Sequence, residues 1–315
     1  MYHYARYFRL EGPDWYFFGR IADKISGWRQ ALNSTGIYNS TLRRILRARK
    51  TLALVGVSVF VMGVAIPPAG ATSSSNWPYP SGTSGYDVSY PQCTSGTIYS
   101  SGGFAIIGLG GGRPFQANGC AASEWGAALA AGATSISIYI NTGYSGAYSR
   151  DITSACSANV PSTYKSGSKL AQAWEIGCSE ADFAFQTALS DVINPNAPAS
   201  TSSPSNLGGG MWWADIETGN SWSTNTSLNQ ATIQGIVSEL FSPVNSAYTP
   251  EAGLPVGIYS NTAFWNKITG KSLWAPKGSS GEWIAGSSCS STFDGNTAYV
   301  AQHGTTAVGD ADTAC

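Results

Sequence analysis

The segment Trp212-Trp213-Ala214-Asp215-Ile216-Glu217-Thr218 carries the clearest chemistry in the chain. In a strand, alternate side chains share a face, so Trp213, Asp215 and Glu217 point the same way. Two carboxyls two residues apart on one face are costly to bury. One must keep its proton or find a partner, which raises its pKa. A carboxylic acid still protonated near neutral pH can protonate a glycosidic oxygen. Asp87, in Gly85-Tyr86-Asp87-Val88-Ser89-Tyr90, is a second candidate, because acids are poor strand formers and one here needs a reason. Asp310 and Asp312, also two apart, lie close to the last residue.

Other chemistries fare worse. After residue 71 the chain has one histidine, His303, and nothing in Ala301-Gln302-His303-Gly304 marks a catalytic base. A partly exposed strand-end histidine is expected there. A multi-histidine metal site is excluded by count, and no metal or cofactor is expected. Gly108-Leu109-Gly110-Gly111-Gly112 follows a strand, but Arg113-Pro114 comes next, so it is no dinucleotide fingerprint. The run predicts a flexible loop. Carboxylates remain as the acid–base inventory, with abundant aromatics as platforms for sugar rings.

The elements that must position these acids alternate. Strands are predicted at 85–90, 103–108, 135–140, 211–217, 256–259, 282–285 and 298–302, with a short one near 309–312. Helices are predicted at 121–131, from Ser179 with Asp182 as capping partner, at 229–241 and at 262–268. Residues 143–177 read as a long polar excursion. Strand–helix alternation implies parallel strands and an α/β architecture. Eight strands with helices missing late fit an irregular (β/α) TIM-like barrel better than an open sheet. Glu217 would then sit at the C-terminal rim, where barrel active sites lie.

The first 71 residues differ from the rest. They carry ten of the seventeen Lys and Arg and only three acids, leaving seven basic against fifteen acidic residues after Ala71. A basic run from Arg43 to Lys50, an uncharged and mostly apolar stretch from Thr51 to Ile66, and Ala69-Gly70-Ala71 make a secretory signal with cleavage near Thr72. An uncleaved anchor is the alternative. The expected organisation is an atypical leader or misassigned start over 1–40, a signal over 41–71, a linker over 72–84 and a barrel over 85–315.

All six cysteines follow residue 71. An even count in an exported chain suggests disulfides, and six allow fifteen pairings. Pairing neighbours (Cys93–Cys120, Cys156–Cys178, Cys289–Cys315) closes the shortest loops and is the expected staple.

Taken in order, several motifs resemble glycoside hydrolase family 25, the Chalaropsis-type lysozymes. Gly85-Tyr86-Asp87-Val88-Ser89-Tyr90-Pro91-Gln92 is similar to its opening G-x-D-V-S-x-x-Q, and Asp215-Ile216-Glu217 to its D-x-E. Gly257-Ile258-Tyr259-Ser260-Asn261 and Gly309-Asp310-Ala311-Asp312 are similar to its later segments. The resemblance also extends to the barrels of actinobacterial exported proteins related to that family. It implies cleavage of a β-1,4-linked N-acetylated wall glycan assisted by the substrate's acetamido group. Carried over, Glu217 is the general acid/base and Asp215 orients the acetamido group. Asp87, Asp312 and Tyr259 line the sugar subsite, and Trp213 adds an aromatic surface. Three segments depart from the family: the second strand ends without the usual Lys and acid, Tyr139-Ile140-Asn141-Thr142 replaces a Tyr-His-Phe-like end, and the insertion from Gly143 to Gly177 is foreign to its core pattern.

The expected partner is peptidoglycan or a related N-acetylated polysaccharide, with no nucleic acid and no membrane contact except through the N-terminal signal or anchor. The expected location is secreted or wall-associated, or membrane-anchored with the domain outside. The competing function is a non-catalytic barrel that binds wall glycan or a surface protein. Convergence of the acids on one open, aromatic-lined cleft would favour hydrolysis.

Overall fold

A computed structural model describes residues 79–93, 103–192, 210–244, 255–271, 273–305 and 309–315. The leader, the apolar stretch and the first part of the linker fall outside them. The described residues form a closed barrel of eight strands in sequence order. They are β1 (Ser84–Val88), β2 (Phe104–Gly108), β3 (Ser135–Asn141), β4 (Trp212–Asp215), β5 (Val256–Ser260), β6 (Ser279–Ala285), β7 (Thr297–Thr305) and β8 (Asp310–Ala314). The helices are α1 (Ala121–Ala130), α2 (Ser154–Ala158), α3 (Lys169–Thr187), α4 (Thr226–Phe241) and α5 (Thr262–Thr269).

Strands β1 to β7 pair in parallel, each with the next. β8 runs antiparallel to both β7 and β1 and closes the barrel. Here the structure departs from the all-parallel expectation, and the reason is reach. Only residues 306–309 separate β7 from β8, whereas a parallel crossover needs about a dozen or more. No helix separates β6 from β7 either, so the helices are missing late, as expected.

Alternation divides the core. Trp212 and Ala214 on β4, and Ile216 just past it, pack outward against the helices with Phe185, Ile233, Ile236 and Leu240. Trp213 points into the barrel with Phe104, Ile106, Met211, Trp283 and Val300. Tyr79 fills the N-terminal end of this interior. It is 1% exposed, it hydrogen-bonds Ser137, and its hydroxyl accepts from Trp213 Nε1 at 3.1 Å. The stretch expected as a linker over 72–84 therefore enters the barrel core at Tyr79.

The polar excursion is the other correction. Its last quarter is the start of α3, which begins at Lys169 and not at Ser179. Ser168 caps it, its Oγ accepting from the Ala171 amide at 3.1 Å. Ala171, Ala173, Trp174 and Ile176 are all buried, so this turn is packed nearly all round. Gly177, the last residue of the expected excursion, lies where α3 crosses α4. A Cβ there would stand 1.9 Å from the Thr232 carbonyl oxygen, so only glycine allows the approach.

Three disulfides staple the domain. Cys93–Cys120 ties the turn after β1 to the start of α1, Cys156–Cys178 ties α2 to α3, and Cys289–Cys315 ties the β6–β7 loop to the last residue. Among the described residues no cysteine is free. Three bridges fit an oxidising, extracellular compartment.

Candidate active site

A cleft of about 240 Å³ opens at the C-terminal rim of the parallel strands. Asp87, Asp215, Glu217 and Asp310 line it together with Tyr90, Tyr139, Tyr259 and Trp283. None of its lining residues is basic. The strands put these side chains in one layer: Asn141 is the register partner of Asp215, Asp215 of Tyr259, and Tyr259 of Trp283.

Asp215 ends β4 and is 4% exposed. Its Oδ2 accepts from Asn141 Nδ2 at 2.7 Å, while Oδ1 is buried with no hydrogen-bond partner among the described residues. Burial and the neighbouring Glu217 charge push its pKa well up, against the pull of the Asn141 bond. Glu217 lies two residues past β4, in a turn held by Trp222 Nε1 donating to its carbonyl at 2.8 Å. It is half-buried, and burial raises its pKa too. The pair is therefore arranged to hold a proton above the ordinary carboxylate range.

Across the cleft, a relay fixes Asp87. Tyr259 Oη donates to Gln302 Oε1 at 2.7 Å, and Gln302 Nε2 donates to Asp87 Oδ2 at 2.8 Å. Burial pushes Asp87 up to about 7, with the Asp310 charge adding to it and the Gln302 bond opposing. Asp312 lies beneath, 1% exposed, accepting from Trp283 Nε1 at 2.9 Å. Burial and the Asp87 charge hold it well above the usual carboxylate range.

Two expected subsite residues are placed differently. Trp213 shares a face with Asp215 but sits one layer deeper, roughly 7 Å along the strand, and is fully buried against Trp283. It supports the floor and cannot meet a ligand. Asp312 is likewise too deep. Because β8 runs antiparallel, its first residue, Asp310, is the one nearest the rim, and Asp310 lines the cleft instead. Tyr259, Asp87, Asp215 and Glu217 all reach the cleft. His303 lies outside its lining, exposed, with Nε2 2.7 Å from Thr313 Oγ1.

Sequence reasoning missed Tyr90, Tyr139, Asn141, Trp283 and the relay role of Gln302. The glycine run held the signal for three of these positions. A Cβ on Gly108 would stand 2.6 Å from Ser89 Cβ and 2.7 Å from the Tyr139 ring, and one on Gly110 2.4 Å from Asn141 Oδ1. One on Gly112, at φ +86°, would stand 2.6 Å from the Tyr90 ring. The glycines of the run clear the space that these cleft residues occupy, and backbone bonds from Leu109 to Tyr139 and from Gly111 to Gln116 hold the run in place.

The chain is similar to two solved hydrolases. One is a muramidase from Trichobolus zukalii, 17% identical over 74% of this chain and 93% of that one, with a TM-score of 0.43. The other is GHIP, a glycosyl hydrolase 25 of Streptococcus pneumoniae described as a virulence factor participating in host cell invasion. It is 13% identical over 74% of this chain and 87% of that one, with a TM-score of 0.41. No family model and no curated protein sequence matches the chain.

Proposed function

We propose that residues 72–315 are an exported glycosidase that cleaves β-1,4-linked N-acetylated wall glycan, of the peptidoglycan muramidase type. The observation that carries this reading is the Asp215–Glu217 pair: two carboxyls with raised pKa values, one buried and one half-buried, opening into a single polar cleft edged by aromatics. Glu217 protonates the glycosidic oxygen as general acid and later deprotonates water as general base. Asp215 orients the acetamido group of the substrate, whose carbonyl oxygen attacks the anomeric carbon. Tyr259, through Gln302, and Asp87 hold the sugar in the cleft, and Tyr90 offers a ring at its edge, 48% exposed. Charge supports the same assignment. Without a lysine or arginine in the lining, the acids keep protons for lack of counter-ions.

Export is part of the same reading: a signal over 41–71 releases a chain that starts near Thr72. N-terminal sequencing of secreted protein checks it, and a mature terminus before Arg43 overturns it. For the activity, purified peptidoglycan is incubated with residues 72–315 and new reducing ends are counted. Appearance of muramic acid reducing ends that is lost in Glu217→Gln is the expected result. Absence of hydrolysis on every wall glycan overturns it, and binding without cleavage would make the barrel a glycan-binding module.

A further inference from the structure

Asn141 stands where the third strand departs from the pattern the chain otherwise resembles. It is the last residue of β3, in register with Asp215 on β4. Its Nδ2 donates to Asp215 Oδ2 at 2.7 Å. That bond, with a lesser pull from the Asn220 side chain, does two things. It holds Oδ2 in place and leaves the other oxygen, Oδ1, buried and without a hydrogen-bond partner among the described residues, on a carboxyl whose residue lines the cleft. It also gives the carboxylate form a donor in a place where burial, Glu217 and Asp87 all favour the protonated form.

Asn141 cannot be held there without Gly110. The residue at 110 lies on the loop after β2, and any Cβ on it would come within 2.4 Å of Asn141 Oδ1. Its backbone is fixed by a bridge to Ala117, so the loop has little room to yield. On its other side Asn141 borders a small cavity that also holds the buried carboxyl of Glu180. The other titratable groups facing Asp215 are Glu217 beyond its own strand, Asp87 from β1, and the phenols of Tyr139 on β3 and Tyr259 on β5.

We propose that Asn141 is the positioning residue of the carboxyl pair, fixing the orientation of the Asp215 carboxyl at the cleft wall, and that Gly110 acts through Asn141. The proposal rests on the glycosidase reading for its kinetic consequence but not for its structural one, and the test keeps the two apart. The titration of the Asp215 side chain is followed by carboxyl carbon NMR in the wild type, Asn141→Ala, Gly110→Ala and the double variant, each with a melting curve. The same four proteins are assayed on peptidoglycan.

Asn141→Ala is expected to titrate Asp215 at higher pH than the wild type does. It should lower kcat by about 10- to 100-fold, the usual worth of a hydrogen bond to a charged group, with KM nearly unchanged. The acid limb of the pH–rate profile should move upward with the titration. Gly110→Ala should reproduce the shift in part. In the Asn141→Ala background, adding Gly110→Ala should do nothing further, because a shared target makes the effects non-additive. A folded Asn141→Ala with an unmoved Asp215 titration overturns the proposal, whether or not the enzyme is active. Full additivity in the double variant overturns the Gly110 half. Wild-type protein that cleaves nothing while Asp215 still shifts would sink the glycosidase reading and leave the positioning role standing.

Discussion

Two buried carboxyls in this barrel are treated in opposite ways. Glu282, inside β6, is saturated with donors: the Thr292 hydroxyl at 2.6 Å and the amides of Phe293, Asp294 and Gly295 at 3.1, 2.8 and 3.0 Å all reach its Oε1. Asp215, at the rim of β4, has one side-chain donor on Oδ2 and none on Oδ1. The first organises the β6–β7 loop, which has no helix to hold it. The second, whose residue lines a cleft, is left with unmet acceptor capacity. Folding satisfies the carboxyl it uses as a fastener and leaves the cleft acid short of donors.

The sharpest way to break the comparison is to alter each side and read both activity and melting. Glu217→Gln keeps shape and removes the titratable proton, so hydrolysis should fall by roughly 10²- to 10⁴-fold with the melt unchanged or slightly raised. Equal activity in variant and wild type would remove Glu217 from the mechanism. Glu282→Leu should do the reverse. Three amides lose their acceptor, each at about 1–3 kcal/mol. A loss of at least about 3 kcal/mol should lower the melting temperature by roughly 6–12 °C, with kcat of the folded fraction near wild type. A melt within a degree of wild type would mean that the loop does not depend on this clamp.

A pH series sharpens the contrast on the native chain. Asp87 is pushed up to about 7 by burial, and Asp294, buried beside Glu282, to about 8. Below the ordinary carboxylate range both groups are protonated folded and unfolded. As pH rises from there, the unfolded chain releases protons that the folded chain keeps, so stability declines through the window and this contribution is gone above about pH 8. Calorimetry should give a higher melting temperature at mildly acidic pH than above pH 8. A melt that climbs over that interval would contradict the raised values. The smallest effect belongs to the edge of the cleft: Tyr90→Ala should raise KM by about 3- to 10-fold, as expected for one aromatic contact, with no change in melting. An unchanged KM would remove Tyr90 from the ligand's path.

Much of this contrast was legible in residue order. Alternation on Trp212–Asp215 placed the acid pair on one face, and β-branched runs such as Ser135–Ile140 placed the strands. What failed has physical causes. Direction is invisible in a strand read alone, so β8 was not seen to reverse, and Asp312 stood in for Asp310 at the rim. Depth is invisible too, which put Trp213 in the subsite when it belongs to the floor. Glycine was read for freedom where it supplies space. Gly177 looked like the end of a polar excursion and Gly110 like part of a flexible loop, yet both stand where another backbone or side chain needs the room of a missing Cβ. The half of α3 from Lys169 to Gly177 was lost among small and polar neighbours that hide its apolar stripe.

The tyrosine that enters ahead of the first strand has a further meaning. Tyr79 belongs to the barrel by contact and to the approach segment by sequence, and it supplies the hydroxyl for Trp213 Nε1 beneath the cleft floor. The floor on which the acids stand is thus finished by a residue outside the repeating strand–helix units. Seen from the opposite end, the cleft is a vessel whose stopper is inserted from below. A fragment trimmed to the first strand would keep every acid in the lining and still lose the base that holds them level.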